Sequence, residues 1–510
     1  MIKYLAQNQY KQRKVFSMVK SIKHFAEESI KNFEKLEDDF FKNPEQIAEY
    51  VLGITKELHT VGLLMIKESL ETMNQMLKES GKRQVSWVIE KDNEKNLITS
   101  LGTVTFTKTL FTNKQTGEMK YLLDEIIGLE KHGRMTDDAE AKLLTEAVQT
   151  SYRRGGEECS LESSVSKQAV KKKIHALKFP KNEEKPEKKK ELEYLYIEAD
   201  EDHVSLQYRD KKGDLKRNEN GQKNNCLLTK LVYVHEGVEP EAPKSKRYKL
   251  VNPYYFCRVC DGKENENFWD EIYEYIESHY EMSKIKKIYL SADGGSWIET
   301  ARKRIHGISY VLDEYHLQKY LMRLTSHMKG STEDAWQELC NAVKRKTKAD
   351  FIEIADRLID ALPSEKTESG TKRIKESRDY ILTNWGAARL RLLRKDGVIG
   401  SSTEGHVSHV LSSRMSSSPM GWSRKGASKM AQLRAYYYNG KDMMELVRFQ
   451  KEKPSLQAAG AERDIILSTQ MLRAEKNKNG ELGKYVDILT HSVSLDTKKK
   501  VYFNEHIWGL

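Results

Sequence analysis

Cysteine is scarce, with five in 510 residues. Disulfides therefore cannot frame a chain of this length, and the usage fits a reducing cytoplasm. No apolar run reaches the roughly 18–20 residues that span a bilayer, so no membrane partner is expected. Residues 1–14 are polar and lack the apolar core of a signal peptide, so secretion is not expected either. The chain also has no P-loop and no Gly-x-Gly-x-x-Gly. An NTPase motor or a dinucleotide enzyme is left without support.

What is present is charge. Charged residues make up 32% of the chain and apolar ones 38%, and the formal net charge is +11 at pH 7. The length allows two to four domains with at least one large core. A basic balance suits a polyanionic partner, because cations that neutralise phosphates release counterions. Lysines crowd residues 167–190, and Arg414, Arg424, Lys425, Lys429 and Arg434 follow Glu404. Such runs are usually solvated faces. Here they flank the candidate chemistry.

Residues 1–90 read as a helical N-terminal region. Leu58, Val61, Met65, Leu70, Met73 and Leu77 recur at three- and four-residue steps, a pattern for packing or self-association. Residues 91–180 read as a β-hairpin followed by a DNA-binding region. Val104 and Phe106 alternate with threonines, and residues 113–117 carry turn chemistry. A helix begins after Thr136 and presents Leu143, Ala147 and Val148. A break at Gly155-Gly156 precedes a possible helix-turn-helix. In it Ser166 caps a recognition helix, Ala169, Val170 and Ile174 pack, and Lys167, Gln168, Lys171 and Lys172 face DNA. Residues 178–190 have linker composition.

Residues 190–315 then turn to α/β. Strands are expected at 195–199, 203–208 and 227–234, a helix at about 266–280, and strands at 288–292 and 308–312. Three strands, a helix and two strands open a ribonuclease-H-like sheet, whereas a flavodoxin-like sheet expects a helix after its first strand. Residues 316–395 read as all-helical. Residues 396–450 return to the core and open a helix capped by Ser402 or Thr403. Residues 451–510 form a tail.

Two strands end on an acid, in Tyr196-Ile197-Glu198-Ala199-Asp200 and Tyr289-Leu290-Ser291-Ala292-Asp293. Phosphodiester cleavage needs a polarised phosphate and a deprotonated nucleophile, which two Mg²⁺ ions about 4 Å apart supply. Mg²⁺ takes carboxylate oxygens and keeps several waters, so a few acids from separate elements suffice. Each acid alone is more often a cap or a turn residue. Asp202 competes with Asp200, since it points to the same face of the strand. Glu404 lies in Gly400-Ser401-Ser402-Thr403-Glu404-Gly405-His406, and its bland role is a first-turn acid on a helix dipole. The small, polar residues after it suit a phosphate backbone or a metal site better than a core.

These blocks carry a resemblance. Leu101-Gly102, Tyr121-Leu122-Leu123-Asp124, Ser151-Tyr152-Arg153, Ala199-Asp200, Ala292-Asp293-Gly294, Leu312-Asp313-Glu314-Tyr315-His316 and Ser402-Thr403-Glu404-Gly405-His406 through Met420-Gly421-Trp422 are similar to ISLre-type insertion-sequence transposases. That group has long been filed as an uncharacterised protein family and is related to the Mutator-like superfamily. The resemblance spans about residues 85–450. It implies a ribonuclease-H-like catalytic core interrupted by an all-helical insertion. It also implies a catalytic and metal-binding triad of Asp200, Asp293 and Glu404 holding Mg²⁺ or Mn²⁺. The implied activity is DNA strand cleavage and strand transfer. The partners would be double-stranded DNA, both transposon ends and target, with a homo-oligomer assembled on it in the cytoplasm. Related superfamilies carry a Cys/His pair where this chain has Asp313 and His316, and Asp313 is a fallback for the second carboxylate.

Arg414, Arg424 and Lys425 join Lys167, Gln168, Lys171 and Lys172 as candidate DNA contacts. Cys257-x-x-Cys260 lacks the second pair that a zinc site needs. His406 and His409 could bind metal, though phosphate or polar contact suits them better, and Trp297 and Trp422 read as packing anchors. The rival readings are a nuclease that does not rejoin strands and a non-catalytic DNA-binding protein derived from a transposase.

Overall fold

The computed structural model describes residues 20–181, 185–207, 226–363, 368–418 and 420–451. They fall into two compact units. Of the described residues, one unit holds 20–147, 152–170 and 447–451, and the other holds those of 148–151 and 171–446. No described helix is long and apolar enough to cross a membrane. The tail at 452–510 and the stretch 208–225 between the strands expected at 203–208 and 227–234 lie outside the described residues.

In the first unit, helices α1 (Ile30–Lys42) and α2 (Ile47–Glu79) precede a three-stranded antiparallel sheet, β1 (Trp87–Ile98), β2 (Thr103–Asn113) and β3 (Met119–Lys120). Leu70, Met73 and Leu77 pack on Val104, Phe106 and Phe111, as the spacing requires. Leu58 and Met65 belong to the same stripe but stay exposed: Leu58 precedes the apolar cluster, which begins at Leu63, and Met65 is not among its members. The turn at 113–117 forms, with the Asn113 side-chain oxygen accepting from the amides of Gln115 and Thr116 at 2.9 and 3.1 Å. The main hairpin is a different one, β1 with β2. Its first strand escapes a periodicity reading because its residues from Val88 to Asp92 are all exposed.

Helix α3 (Asp137–Gln149) buries Leu143, Ala147 and Val148 as expected. Gly155 and Gly156 do not break the chain but lie buried inside α4 (Tyr152–Glu157). A Cβ on Gly156 would stand 2.2 Å from the Val165 carbonyl oxygen, so close approach is what these glycines provide. Ser166 opens α5 (Lys167–Ala176), its hydroxyl accepting from the Ala169 amide at 3.3 Å. Residues 158–166 join α4 to α5, a longer link than the three or four residues of a tight helix-turn-helix.

The second unit is built on a five-stranded sheet ordered β10-β9-β4-β5-β8. Strand β4 (Tyr194–Ser205) is central. On one side β5 (Cys226–His235) and β8 (Tyr254–Arg258) run antiparallel; on the other β9 (Lys287–Ala292) and β10 (Ile308–Leu312) run parallel. The short β6 (Val238–Pro240) and β7 (Tyr248–Leu250) pair with each other. The strand expected at 203–208 is the end of β4, not a separate element, since Asp202 and His203 continue its pairing with β5. The remaining strand is β8, in the stretch that holds Cys257.

Alternation along β4 gives the sheet two unlike faces. Leu195, Ile197 and Ala199 join Val232, Val234, Ile288 and Leu290 under α6 (Glu264–His279) and α7 (Ser296–Arg304). Tyr196, Glu198 and Asp200 project to the opposite face, which is polar yet buried. The helical block after β10 is α8 (Glu314–Thr325), α9 (Thr332–Arg345), α10 (Lys348–Asp360), α11 (Glu368–Thr383) and α12 (Trp385–Leu393). It forms its own core, with Leu321, Leu339, Phe351, Leu358 and Ile381 among its members. Arg391 of α12 fastens it to the sheet. The buried guanidinium donates to the Leu312 carbonyl at 2.7 Å and also to the Ile399 carbonyl and the Ser291 hydroxyl.

Candidate active site

Parallel pairing sets Ala199 opposite Ala292, and Ala292 opposite Leu312. The next residue in each case is an aspartate: Asp200, Asp293 and Asp313. Three neighbouring parallel strands thus carry an acid at one level, toward their carboxyl ends. Open α/β sheets bind ligands at such ends.

The three acids have different surroundings. Asp313 caps α8, and both of its oxygens are used. One accepts from Ser401 Oγ at 2.8 Å; the other accepts from the His316 amide at 3.1 Å and lies 3.2 Å from His316 Nδ1. Burial would raise this carboxyl, but the bonds from His316 and Ser401 outweigh it and hold it at about 2. Asp313 is therefore a brace, joining α8 to the segment that leads to Glu404.

Asp200 is 8% exposed, and its carboxylate accepts from the adjacent Glu201 amide at 2.8 Å. Burial pushes this carboxyl up to about 7; the negative charges of Asp293 and Asp313 add to the push, and His316 opposes it. Asp293 is half-buried in a tight turn, with one oxygen accepting from the Gly295 amide at 3.0 Å and its carbonyl held by the Tyr380 hydroxyl. Gly294 needs its freedom, with φ at 90°. Asp202 instead accepts from Ser416 Oγ at 2.8 Å. Of the two rivals on β4, Asp200 is the one coupled to Asp293.

Glu404 sits in the first turn of α13 (Thr403–Val407), a short helix that packs on β4. Its side chain is exposed and has no hydrogen bond or ion pair among the described residues. What docks the helix is Glu198, which lies within β4 and not at a strand end. This buried carboxylate accepts from the Ser402 amide at 2.9 Å, Thr403 Oγ1 at 2.7 Å and the Tyr233 hydroxyl at 2.6 Å. His235 Nε2 lies 3.3 Å away, fully buried, while its Nδ1 is 3.0 Å from the Gly237 carbonyl oxygen. Burial would raise Glu198, yet His235, Tyr233 and Thr403 together hold it below the ordinary carboxylate range. Its signal was present in the sequence, one alternation before Asp200, but its partners lie far along the chain.

Among the described residues, no three of His, Cys, Asp and Glu already stand in a metal-holding group. Asp200 and Asp293 still supply the hard oxygen donors that Mg²⁺ takes, and one or two carboxylates with substrate phosphates are its usual protein share. A cation there would also meet a buried acid that lacks a positive partner as close as the one Asp313 has. His406 and His409 both lie against tyrosines, His406 Nδ1 being 3.0 Å from the Tyr255 hydroxyl. Cys257 and Cys260 are buried, and burial pushes their thiols up to about 12 and about 11, far from reactive.

The expected DNA contacts divide. Lys167, Gln168, Lys171 and Lys172 are exposed on α5, and Arg424 and Lys425 are exposed at the start of α14 (Arg424–Tyr438). The fold brings two of these groups together: the positive charges of Lys171 and Lys425 both act on His175, which burial and those charges hold low. Arg414 differs. It is 5% exposed with its guanidinium 5.0 Å from the Trp422 ring, so it is a packing residue and does not lie on the surface. Trp422 and Trp297 are buried anchors, donating to the Met415 carbonyl and to Glu201 at 2.9 and 2.7 Å.

Residues 40–453 match the model of an uncharacterised protein family, UPF0236. The chain belongs to that family. A UPF0236 protein of Caldanaerobacter subterraneus subsp. tengcongensis is 35% identical over 423 residues, covering 83% of this chain and 84% of the relative. A second, whose name joins eleven locus designations, is 34% identical over 409 residues, covering 80% and 81%. The Drosophila P element transposase strand transfer complex aligns at 10% identity over 64% of this chain and 83% of that one. Its TM-score of 0.22 is too low to carry an argument.

Proposed function

We propose that this protein is the DNA transposase of an insertion sequence. In this reading a ribonuclease-H-like core uses Asp200, Asp293 and Glu404, with Mg²⁺ or Mn²⁺, to cut and rejoin DNA strands. The observation that carries it is the register of Ala199 with Ala292. It sets Asp200 and Asp293 level on adjacent parallel strands, and α13, whose first turn carries Glu404, packs on β4. The strand order supports the same reading, three antiparallel strands extended by two parallel ones, with a helical block before the last acid. So does the repeated occurrence of relatives. A protein named by eleven loci, and another named by four, are what a self-copying element leaves in a genome.

Bound metal would supply a polarised phosphate and a deprotonated oxygen nucleophile. The chain's own residues would do the rest. Asp200, Asp293 and Glu404 would be the carboxylates that hold the cation. Glu198 and Asp313 keep α13 and its approach segment seated. Lys171, Lys172, Arg424 and Lys425 hold DNA phosphates, which set register without reading sequence. Water is the nucleophile for nicking, and the freed 3′-hydroxyl is the nucleophile for joining.

The test is a labelled terminal-repeat duplex with wild type and with Asp200→Asn, Asp293→Asn and Glu404→Gln. Metal-dependent nicking that disappears in all three, with folding kept, supports the triad. Nicking that survives all three overturns it. A pre-cleaved end with a 3′-hydroxyl separates transposase from nuclease, since only a transposase joins it to a target.

A further inference from the structure

A groove of about 870 Å³ opens beside the Asp293 turn, lined by Gly294 on the sheet side and by α11 and α12 of the helical block opposite. Its size lies within the range of ligand sites, about 300–1,000 Å³. Its chemistry is that of a nucleotide seat. Arg302 and Arg389 supply guanidinium groups, Thr383 and Asn384 polar side chains, and Tyr310 and Tyr380 aromatic surface. The two tyrosine hydroxyls are committed elsewhere, to the carbonyls of Ala292 and Asp293. The lining acid, Glu299, is paired with Arg302 at 3.2 Å. Arg389 is exposed and has no ion pair or hydrogen bond among the described residues.

We infer that this groove receives an unpaired nucleotide of the DNA substrate, next to the phosphodiester that the strand-end acids address. The inference rests on the transposase reading and adds a subsite to it. A groove of this volume has room for a single nucleotide. Arg389 meets a phosphate, and the Thr383 and Asn384 side chains offer polar contacts to a base or sugar. The Gly294 backbone forms the near wall, where a Cβ would come within 3.0 Å of the Tyr310 hydroxyl and 3.1 Å of Asn384. The groove thus begins one residue from Asp293.

Two variants test it without disturbing the fold. A Cβ at Gly386 meets nothing within 4 Å, so Gly386→Leu fills the groove from α12. Arg389→Glu reverses an exposed charge. Fluorescence anisotropy on the full chain, with Ca²⁺ in place of Mg²⁺ to prevent cutting, compares a blunt duplex with one bearing a single-stranded extension. The expected result is about tenfold weaker binding of the extended substrate by both variants. Their affinity for the blunt duplex should stay at the wild-type level. Wild-type affinity for the extended substrate in both variants overturns the groove and leaves the catalytic reading standing. Equal loss on both substrates also overturns it. A wild-type chain that binds neither DNA overturns the groove and the transposase reading together.

Discussion

Thr403 donates its hydroxyl to Glu198 at 2.7 Å, across 205 residues of sequence. This contact seats the short helix bearing Glu404 on the same strand face as Asp200. Removing it should therefore act on stability and on catalysis together. Glu198→Ala also leaves His235 buried beside no carboxylate. We expect a loss of about 3–5 kcal/mol in thermal or urea unfolding. Thr403→Val, which removes one hydrogen bond, should cost about 1–2 kcal/mol. Equal stability of Glu198→Ala and wild type would show that the network carries no weight.

The same carboxylate sets an acid limit. Its folded pKa lies below the ordinary value of 4.5, so its contribution is present above that value. It fades as pH falls through the lowered folded value. Wild-type melting temperature should drop below about pH 4.5 more steeply than that of Glu198→Gln, which has no such proton to take up.

Asp200 has the opposite sign. Its folded value of about 7 stands above the ordinary 3.8, so the unfolded chain gives up this proton first. Metal-free stability should fall as pH rises between those two values, by at most on the order of 4 kcal/mol. Asp200→Asn should flatten the profile and melt higher than wild type at pH 8. Added Mg²⁺ should stabilise wild type more at pH 8 than at pH 6, because binding displaces the proton. A metal-free wild type with a flat profile from pH 4 to 8 would refute this.

Arg391 should matter for holding the helical block to the sheet. Arg391→Met keeps the bulk but leaves the Leu312 and Ile399 carbonyls without their donor. Each buried orphan costs about 1–3 kcal/mol. Hydrogen exchange should show faster opening of residues 385–393 while β4 keeps its protection.

Lys171→Glu combined with Lys425→Glu tests the basic face. The two charges converge near His175, so both should contact one stretch of DNA backbone. Binding should weaken without regard to sequence, and the slope of log affinity against log salt should flatten by about two. An unchanged slope would place DNA elsewhere.

Much of the fold is legible in the chain because its signals are local. The α/β alternation after residue 190, the helical run from Glu314 and the Ser166 cap each rest on neighbouring residues, and each is found. The misread elements are those whose surroundings decide them. Strand β1 is charged and exposed, and β4 runs past its acid without a break. Gly155-Gly156 looks like a stop and is a close-packing site. Asp200 and Asp293 stand out because an acid after an apolar strand is visible in one dimension. Glu198 and Arg391 do not, because their roles consist of partners up to about two hundred residues away.

The sequence by itself determined the kind of protein, a basic α/β chain with acids at strand ends and few cysteines. Composition and short-range periodicity carry that information, since each reports what a segment can bury. Only the tertiary structure decided which acids work together. Parallel register made Asp200 and Asp293 neighbours, and burial raised one while hydrogen bonds turned Asp313 into a brace. Packing sent Arg414 inward and brought the charges of Lys171 and Lys425 to bear on one histidine, His175. A carboxylate's function follows from its partners and its access to water, and the fold alone supplies both.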